Sequence, residues 1–203
     1  MPTPAAPQRR RGAALERAIL DAAYAELVDV GYAAFAVEGV AARARTGKAS
    51  IYRRWPSRQE LVTDALVTHL PGPDDRSLAI GEMFGGDVTT ADALRTVGGL
   101  IVQVLASPAG RVLRAVKLEA VTDPALAALV DDRFQAPRRA AMLALLERGV
   151  RRGEVRPEAA TPLVADVLPA VIAHHMFLQD RTVSDADVAA IIEQIMIPLV
   201  SAG

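Results

Sequence analysis

The residues best equipped for chemistry stand close together, between positions 46 and 58: Thr46, Lys48, Ala49, Ser50, Tyr52, Arg53, Arg54 and Arg58. Their chemistry is that of recognition, not of bond-making. An arginine such as Arg53 can make two hydrogen bonds to a guanine edge, Ser50 can donate or accept at a base edge, and Ala49 can touch a thymine methyl. Lys48, Tyr52, Arg54 and Arg58 suit phosphate oxygens, which fix register without reading sequence. Elsewhere the chain carries no HExxH, no nucleophile elbow and no phosphate-binding glycine loop. It has no cysteine, which excludes disulfides, thiolate nucleophiles and cysteine-bound zinc. Of its three histidines, His174 and His175 are neighbours. Adjacent helical residues point about 100° apart, so the pair is poorly placed to share one ion. Neither an enzyme, a metal site nor a cofactor is expected.

The surrounding pattern says how those side chains are held. Val37, Val40, Ala41 and Ala44 recur at helical spacing and predict a small amphipathic helix over residues 37–44. Arg45-Thr46-Gly47 then reads as a turn, in which Gly47 can take a positive φ and Thr46 can accept from the first amides of the next helix. Residues 48–55 read as that helix, stopped by Pro56. With Ile51 turned toward the core, Trp55 falls on the same side. Ala49 and Arg53 then lie nearly opposite, flanked by Ser50 and Tyr52. Ser57 and Glu60 have capping-box spacing and open a third helix. Two helices, a tight turn and an outward face of small and basic residues are what a protein needs to lay one helix in the major groove of double-stranded DNA. The alternative is a helical protein-interaction module in which YRRW only solvates a face, without DNA binding.

The rest of the chain is built to carry such a unit. Half of its 203 residues are hydrophobic, and no alternating apolar strand of convincing length occurs, so the fold class is all-α. Residues 1–70 hold 10 Lys/Arg against 7 Asp/Glu, a net +3, whereas residues 71–203 carry a net −4. A positive end on an acidic body suits a protein that docks DNA with one end. No apolar signal core and no run of roughly 18 apolar residues appears, so a cytoplasmic protein with no membrane contact is expected.

Three parts are expected: a flexible basic arm at 1–12, a helix-turn-helix domain at 13–68, and a ligand-binding and dimerisation domain at 77–203. Arg9, Arg10 and Arg11 belong either to a disordered tail or to an arm that reaches DNA. A helix over 13–30 ends at Gly31 as a C′ residue, and a loop is expected over 76–88. Further helices are expected over 90–106, from Pro108 or Gly110 to 122, and from Asp123-Pro124 to 152, with a kink or restart at Pro137. Residues 161–178 are apolar almost all the way round, and the last helix, opened by Ser184 and Asp185, carries Val188, Ile191, Ile192, Ile195 and Leu199 as a stripe. Such helices require burial on every side, which a homodimer through residues 161–200 would supply as a four-helix bundle. Gln103, Glu119, Met142, His174, His175 and Phe177 are the candidates to line a cavity between the C-terminal helices.

Residues 15–66 resemble the N-terminal DNA-binding domain of the TetR family of bacterial transcriptional regulators. The resemblance rests on Ile19-Leu20-Asp21-Ala22-Ala23, Gly31-Tyr32, Val40-Ala41-Ala42-Arg43-Ala44, the run from Thr46 to Trp55, and Ser57-Arg58-Gln59-Glu60-Leu61. The remainder is similar to a C-terminal domain common in actinobacterial members, notably at SPAGRVLRAV and FQAPRRAAMLALLERGVRRGEVRP. The resemblance implies an N-terminal three-helix helix-turn-helix domain and a C-terminal helical bundle that dimerises through its last two helices. It further implies a near-palindromic operator and a small-molecule effector acting on a repressor. Two positions depart from the family pattern. Arg45 stands where glycine is usual, and Ala36 stands where threonine usually caps a helix.

Overall fold

The computed structural model describes residues 7–70 and 87–201. Residues 1–6 of the expected arm, most of the expected loop at 76–88 and most of the domain boundary expected near 68–76 lie outside the described residues, and residues 7–11 are described as backbone alone. Among the described residues the regular elements are all helical, apart from one antiparallel bridge between Val155 and Ser201.

Helix α1 (Pro7–Ala34) is interrupted at Gly31, whose φ of +74° is one that side chains disfavour. It is followed by α2 (Val37–Arg43), α3 (Lys48–Tyr52) and α4 (Arg58–His69). The Ser57 hydroxyl accepts from the Glu60 amide at 3.1 Å, which opens α4 as the spacing predicts. Then come α5 (Thr90–Ala106) and α6 (Pro108–Ala120), which meet at an angle of 80°. Ser107 makes that corner, donating to the Val104 carbonyl at 2.6 Å and accepting from the Gly110 amide at 3.1 Å. Among the described residues no single helix is long and apolar enough to cross a membrane.

Helices α7 (Pro124–Val130) and α8 (Ala136–Arg151) form one run joined by a π-helical turn, Asp131–Gln135. Pro137, where a kink or restart is expected, stands in the first turn of α8, directly after the π turn. A proline has no N–H to donate, and its ring collides with the carbonyl four residues back. The wider turn, with the Ala136 amide bonded to the Asp131 carbonyl, precedes it directly. The same solution recurs where α10 (Asp185–Ile191) passes through a π turn, Ile192–Met196, into α11 (Ile197–Val200) just before Pro198. Between these runs lies α9 (Pro162–Ala173), extended by a third π turn, His174–Leu178.

Two apolar cores result. The second gathers Leu94 of α5, Met142 and Leu146 of α8, Leu168 and Ile172 of α9, and Ile192 and Met196 near the C-terminus. The first contains Ile19, Ala23 and Leu27 of α1, Val40 of α2, Ile51, Trp55, and Leu61 and Leu66 of α4. It does not stop there. Val112, Leu113 and Val116 of α6, Leu126 of α7 and Phe134 of the first π turn belong to the same cluster. The N-terminal helices thus rest on a floor supplied by the middle of the chain.

The turn between α2 and α3 differs in detail from its expected form. The Arg45 amide bonds to the Ala42 carbonyl at 3.3 Å and the Thr46 amide to the Ala41 carbonyl at 3.0 Å. This double closure of a helix end requires a left-handed residue between them. That residue is Arg45, at φ +49°, while Gly47 has an ordinary φ of −83°. Gly47, and not Thr46, is the N-cap of α3, with no side-chain capping bond, and Ala36 opens α2 without one as well. Helix α3 also ends earlier than the expected residue 55. After Tyr52 the chain tightens, with the Arg54 amide on the Ile51 carbonyl at 2.9 Å.

A left-handed arginine costs about 1 kcal/mol relative to glycine, after allowing for the greater freedom of an unfolded glycine. Arg45→Gly is therefore expected to stabilise the protein by about that amount. The check is a urea titration, where the midpoint should rise with an unchanged slope; a lowered midpoint would show that Arg45 is held by contacts worth more than its strain.

Candidate nucleic-acid interface and adjoining cavity

Helix α3 is anchored by its inner side. Ile51 and Trp55 are 1% and 4% exposed. The Trp55 indole Nε1 donates to Asp64 Oδ2 at 2.8 Å, and the other oxygen of Asp64 accepts from Arg133 Nη1 in the first π turn. A second tie crosses nearby, from Gln59 Nε2 on α4 to Asp123 Oδ2, the N-cap of α7, at 3.0 Å. Helix α2 is fastened to α1 by Arg43, which donates to Glu26 at 2.6 Å and to Asp29 at 2.7 Å. Gly39 makes room for this arrangement, because a Cβ there would lie 2.2 Å from the Glu26 carboxylate.

With the inner side occupied, Lys48, Ala49, Tyr52 and Arg53 are left exposed, while Thr46, Ser50 and Arg54 are half-buried. Tyr52 keeps 48% of its surface in solvent. Lys48 Nζ donates to Glu38 Oε1 at 2.6 Å, which raises the lysine pKa and lowers that of the carboxyl. Both groups are solvated, so the pair contributes little to stability and is easily exchanged for a phosphate. Arg54 Nη1 donates to the Ser50 carbonyl at 2.9 Å and to the Ser50 hydroxyl at 3.1 Å. Ser50 keeps its hydroxyl proton for another acceptor.

Arg58 is placed differently from its expected role. It does not join the outward face: its guanidinium lies 4.3 Å over the Tyr32 ring and 5.8 Å from the Phe35 ring, and it donates to the Tyr32 carbonyl. Its Nε is buried with no hydrogen-bond partner among the described residues. The cation clamps the start of α4 to the end of α1.

Behind this unit, α5, α6, the first π turn, α8 and α9 enclose a cavity of about 170 Å³. Of the expected lining residues, Met142 and Phe177 stand on its wall. Gln103 lines a second hollow instead, beside Tyr24 and His69. Glu119, His174 and His175 line neither; His174 is exposed, and His175 Nδ1 is hydrogen-bonded to Gln179 at 2.8 Å. The polar residues that do line the main cavity, Lys117, Gln135, Arg138, Arg139 and Asp166, were absent from the expected set. A spacing signal existed for two of them. Lys117 follows core Leu113 by four residues, and Arg138 sits four after Phe134 and four before Met142.

Comparison with known proteins agrees with this anatomy. Residues 19–65 match the family profile described as bacterial regulatory proteins of the tetR family, and residues 88–195 match the tetracyclin repressor-like C-terminal domain. An HTH-type transcriptional regulator of Mycobacterium tuberculosis is 31% identical over 172 residues, covering 85% of this chain and 81% of its own. The DNA-binding transcriptional repressor TetR of Mycobacteroides abscessus is 28% identical over 196 residues, covering 95% and 97%. The crystal structure of the TetR family transcription regulator SCO0332 superposes with a TM-score of 0.68 at 28% identity, covering 90% of this chain and 96% of that one. With a helix-turn-helix pair pinned at one end and a matching helical body behind it, the chain belongs to the TetR family of DNA-binding transcriptional regulators.

Proposed function

We propose that the protein is a homodimeric repressor. Its two α3 helices enter successive major grooves of a near-palindromic operator, and a small molecule held in the cavity weakens that grip. In this reading the helices up to residue 68 read DNA, and residues 77–203 take up the effector and form the dimer. The observation that carries the reading is the two-sidedness of α3. Ile51 and Trp55 are buried, whereas Ala49, Tyr52 and Arg53 project from the opposite side with small and basic chemistry suited to base edges and phosphates.

The dimer is supported by bare apolar surface on α9 and the π turn that extends it. Leu163 is 79% and Leu178 73% exposed, with Val167, Ala170 and His174 between them at helical spacing. Exposed leucines in such a row call for a covering partner. A second copy offering the same row about a two-fold axis covers both at once.

Control by a small molecule is supported by the first π turn. Phe134 and Gln135 stand on the cavity wall, while Arg133 beside them holds Asp64, and Asp64 holds Trp55. An effector shifts DNA affinity only by preferring one arrangement of these groups over another. The cavity shares its wall with the groups that fix α3, so such a preference has a short route to the DNA-reading helix.

Arg53→Ala is expected to cost roughly 1–3 kcal/mol on a selected operator and to relax base preference at one position, with a much smaller effect on random duplex. Mobility shifts at fixed salt distinguish these outcomes, and equal losses on both duplexes would contradict the assigned role. Binding to no genomic fragment at low salt would favour the interaction-module reading. Light scattering of the purified protein at micromolar concentration should give twice the mass of the chain; a monomer would refute the two-fold pairing.

A further inference from the structure

In the cavity that the proposed function assigns to an effector, the ionic groups already have partners. Most of the wall is aliphatic or aromatic: Val97, Leu100, Ile101, Val104, Met142 and Phe177 among others. The charged residues on it are Lys117, Arg138, Arg139 and Asp166. Arg139 Nε donates to both oxygens of Asp166, at 2.9 and 2.8 Å, and its Nη2 lies 3.7 Å from Asp131 Oδ1. The same two carboxylates act on Lys117: burial lowers its pKa, and Asp131 and Asp166 oppose that fall. Lys117 and Arg139 thus stand against Asp131 and Asp166. Arg138 is engaged separately. Its guanidinium lies 3.8 Å over the Phe134 ring, donates to the Phe134 carbonyl at 2.9 Å, and takes part in a further interaction.

The hydrogen-bonding groups are less evenly matched than the charges. The side-chain acceptors are occupied: both Asp166 oxygens take Arg139, and Gln135 Oε1 takes Lys117 Nζ at 2.9 Å. Donors are in surplus. An ammonium carries three N–H bonds and a carboxamide two, and the contact between Lys117 and Gln135 uses one of these. A donor lining an apolar cavity is destabilising when no acceptor meets it. The end of the cavity at Lys117 and Gln135 therefore favours a ligand that brings an acceptor.

We infer that the cavity takes a compact neutral molecule, with an apolar body of about the size of one aromatic ring packed among α5, α8 and α9, and a carbonyl oxygen met by Lys117 and Gln135. The volume argues for the body: cavities of about 150 Å³ lined by aliphatic side chains accommodate benzene, and this one measures about 170 Å³. The existing pairs argue for neutrality. An anion would compete with Asp166 and Asp131 for Arg139 and Lys117, and would leave a carboxylate without its partner. A cation would meet Lys117 and Arg138 on the same wall. Opening one side of a partly buried ion pair is strongly unfavourable. A carbonyl oxygen requires neither. It accepts from the ammonium a hydrogen bond stronger than one between neutral groups, and it leaves the ion pairs in place.

The inference rests on the reading of the cavity as a ligand site, and its test separates the two. Calorimetric titration of the full-length protein at neutral pH with acetophenone, benzoate and 1-phenylethylamine keeps the ring and changes the charge beside it. Acetophenone should bind at least about tenfold more tightly than either charged compound. Ethylbenzene, of similar shape without the oxygen, is the reference for the head group. In a Lys117→Met, Gln135→Leu double variant the ratio of acetophenone to ethylbenzene affinity should fall at least about threefold, with helix content by circular dichroism confirming that the variant folds. The comparison of compounds on the unaltered protein stands even if the variant does not fold. Equal or tighter binding of benzoate or 1-phenylethylamine overturns the inference and leaves the cavity a ligand site. Binding of none of the compounds overturns both. An unchanged ratio in the folded double variant overturns the placement of the carbonyl at Lys117 and Gln135. Binding selective for the neutral ketone that leaves operator affinity unchanged upholds the inference while overturning the effector role.

Discussion

The outward side of α3 depends on what Trp55 and Ile51 do inward. A helix of five residues, Lys48–Tyr52, is far below the length at which a helix holds itself in water. Its shape is a product of tertiary burial. Placing an isoleucine side chain in the core contributes about 1.5–3 kcal/mol, and a tryptophan buries a larger surface still. The hydrogen bond from the indole to Asp64 then sets the rotation of the element as well as its depth. Without that anchoring, Ala49, Tyr52 and Arg53 would have the right chemistry and no fixed direction.

The anchor reaches further than the N-terminal helices. Asp64 is shared between Trp55 and Arg133, and Gln59 reaches the N-cap of α7. The apolar cluster that buries Trp55 also buries Leu113, Val116, Leu126 and Phe134. The π turn that carries Arg133 and Phe134 lies directly before Pro137, whose missing N–H and bulky ring a wider turn accommodates. From this one turn a side chain reaches toward the DNA-reading unit while its neighbours line the cavity. The structural consequence is a short physical route between the two sites.

Much of this was legible from residue spacing, and the rest failed for identifiable reasons. Ile51 and Trp55 four residues apart announced a common buried side, and Ser57 with Glu60 announced a helix start; both depend only on local geometry. The role of Arg58 was not legible, because a cation suited to phosphate is equally suited to the face of a tyrosine ring, and only the fold brings Tyr32 beneath it. Within Arg45-Thr46-Gly47, composition pointed to glycine as the left-handed residue. The position is instead dictated by where the carbonyls of Ala41 and Ala42 find their amides, which puts the strain on Arg45. Two of the π turns stand directly before a proline, but His174–Leu178 does not, so no single residue pattern announces all three. For the cavity, polar residues near the apolar C-terminal helices drew attention to His174 and His175, whereas the lining cations came from α6 and α8 at core spacing.

The central claim is that the DNA-reading unit has no core of its own and folds as one with the helices beneath it. Trp55 is the single tryptophan of the chain, so its fluorescence reports that unit alone. The direct measurement is a urea titration of the full-length protein at one fixed concentration, followed by Trp55 emission and by far-ultraviolet circular dichroism. The account predicts coincident transitions with one midpoint. Exposure of Trp55 well before the bulk of the helix is lost would contradict it.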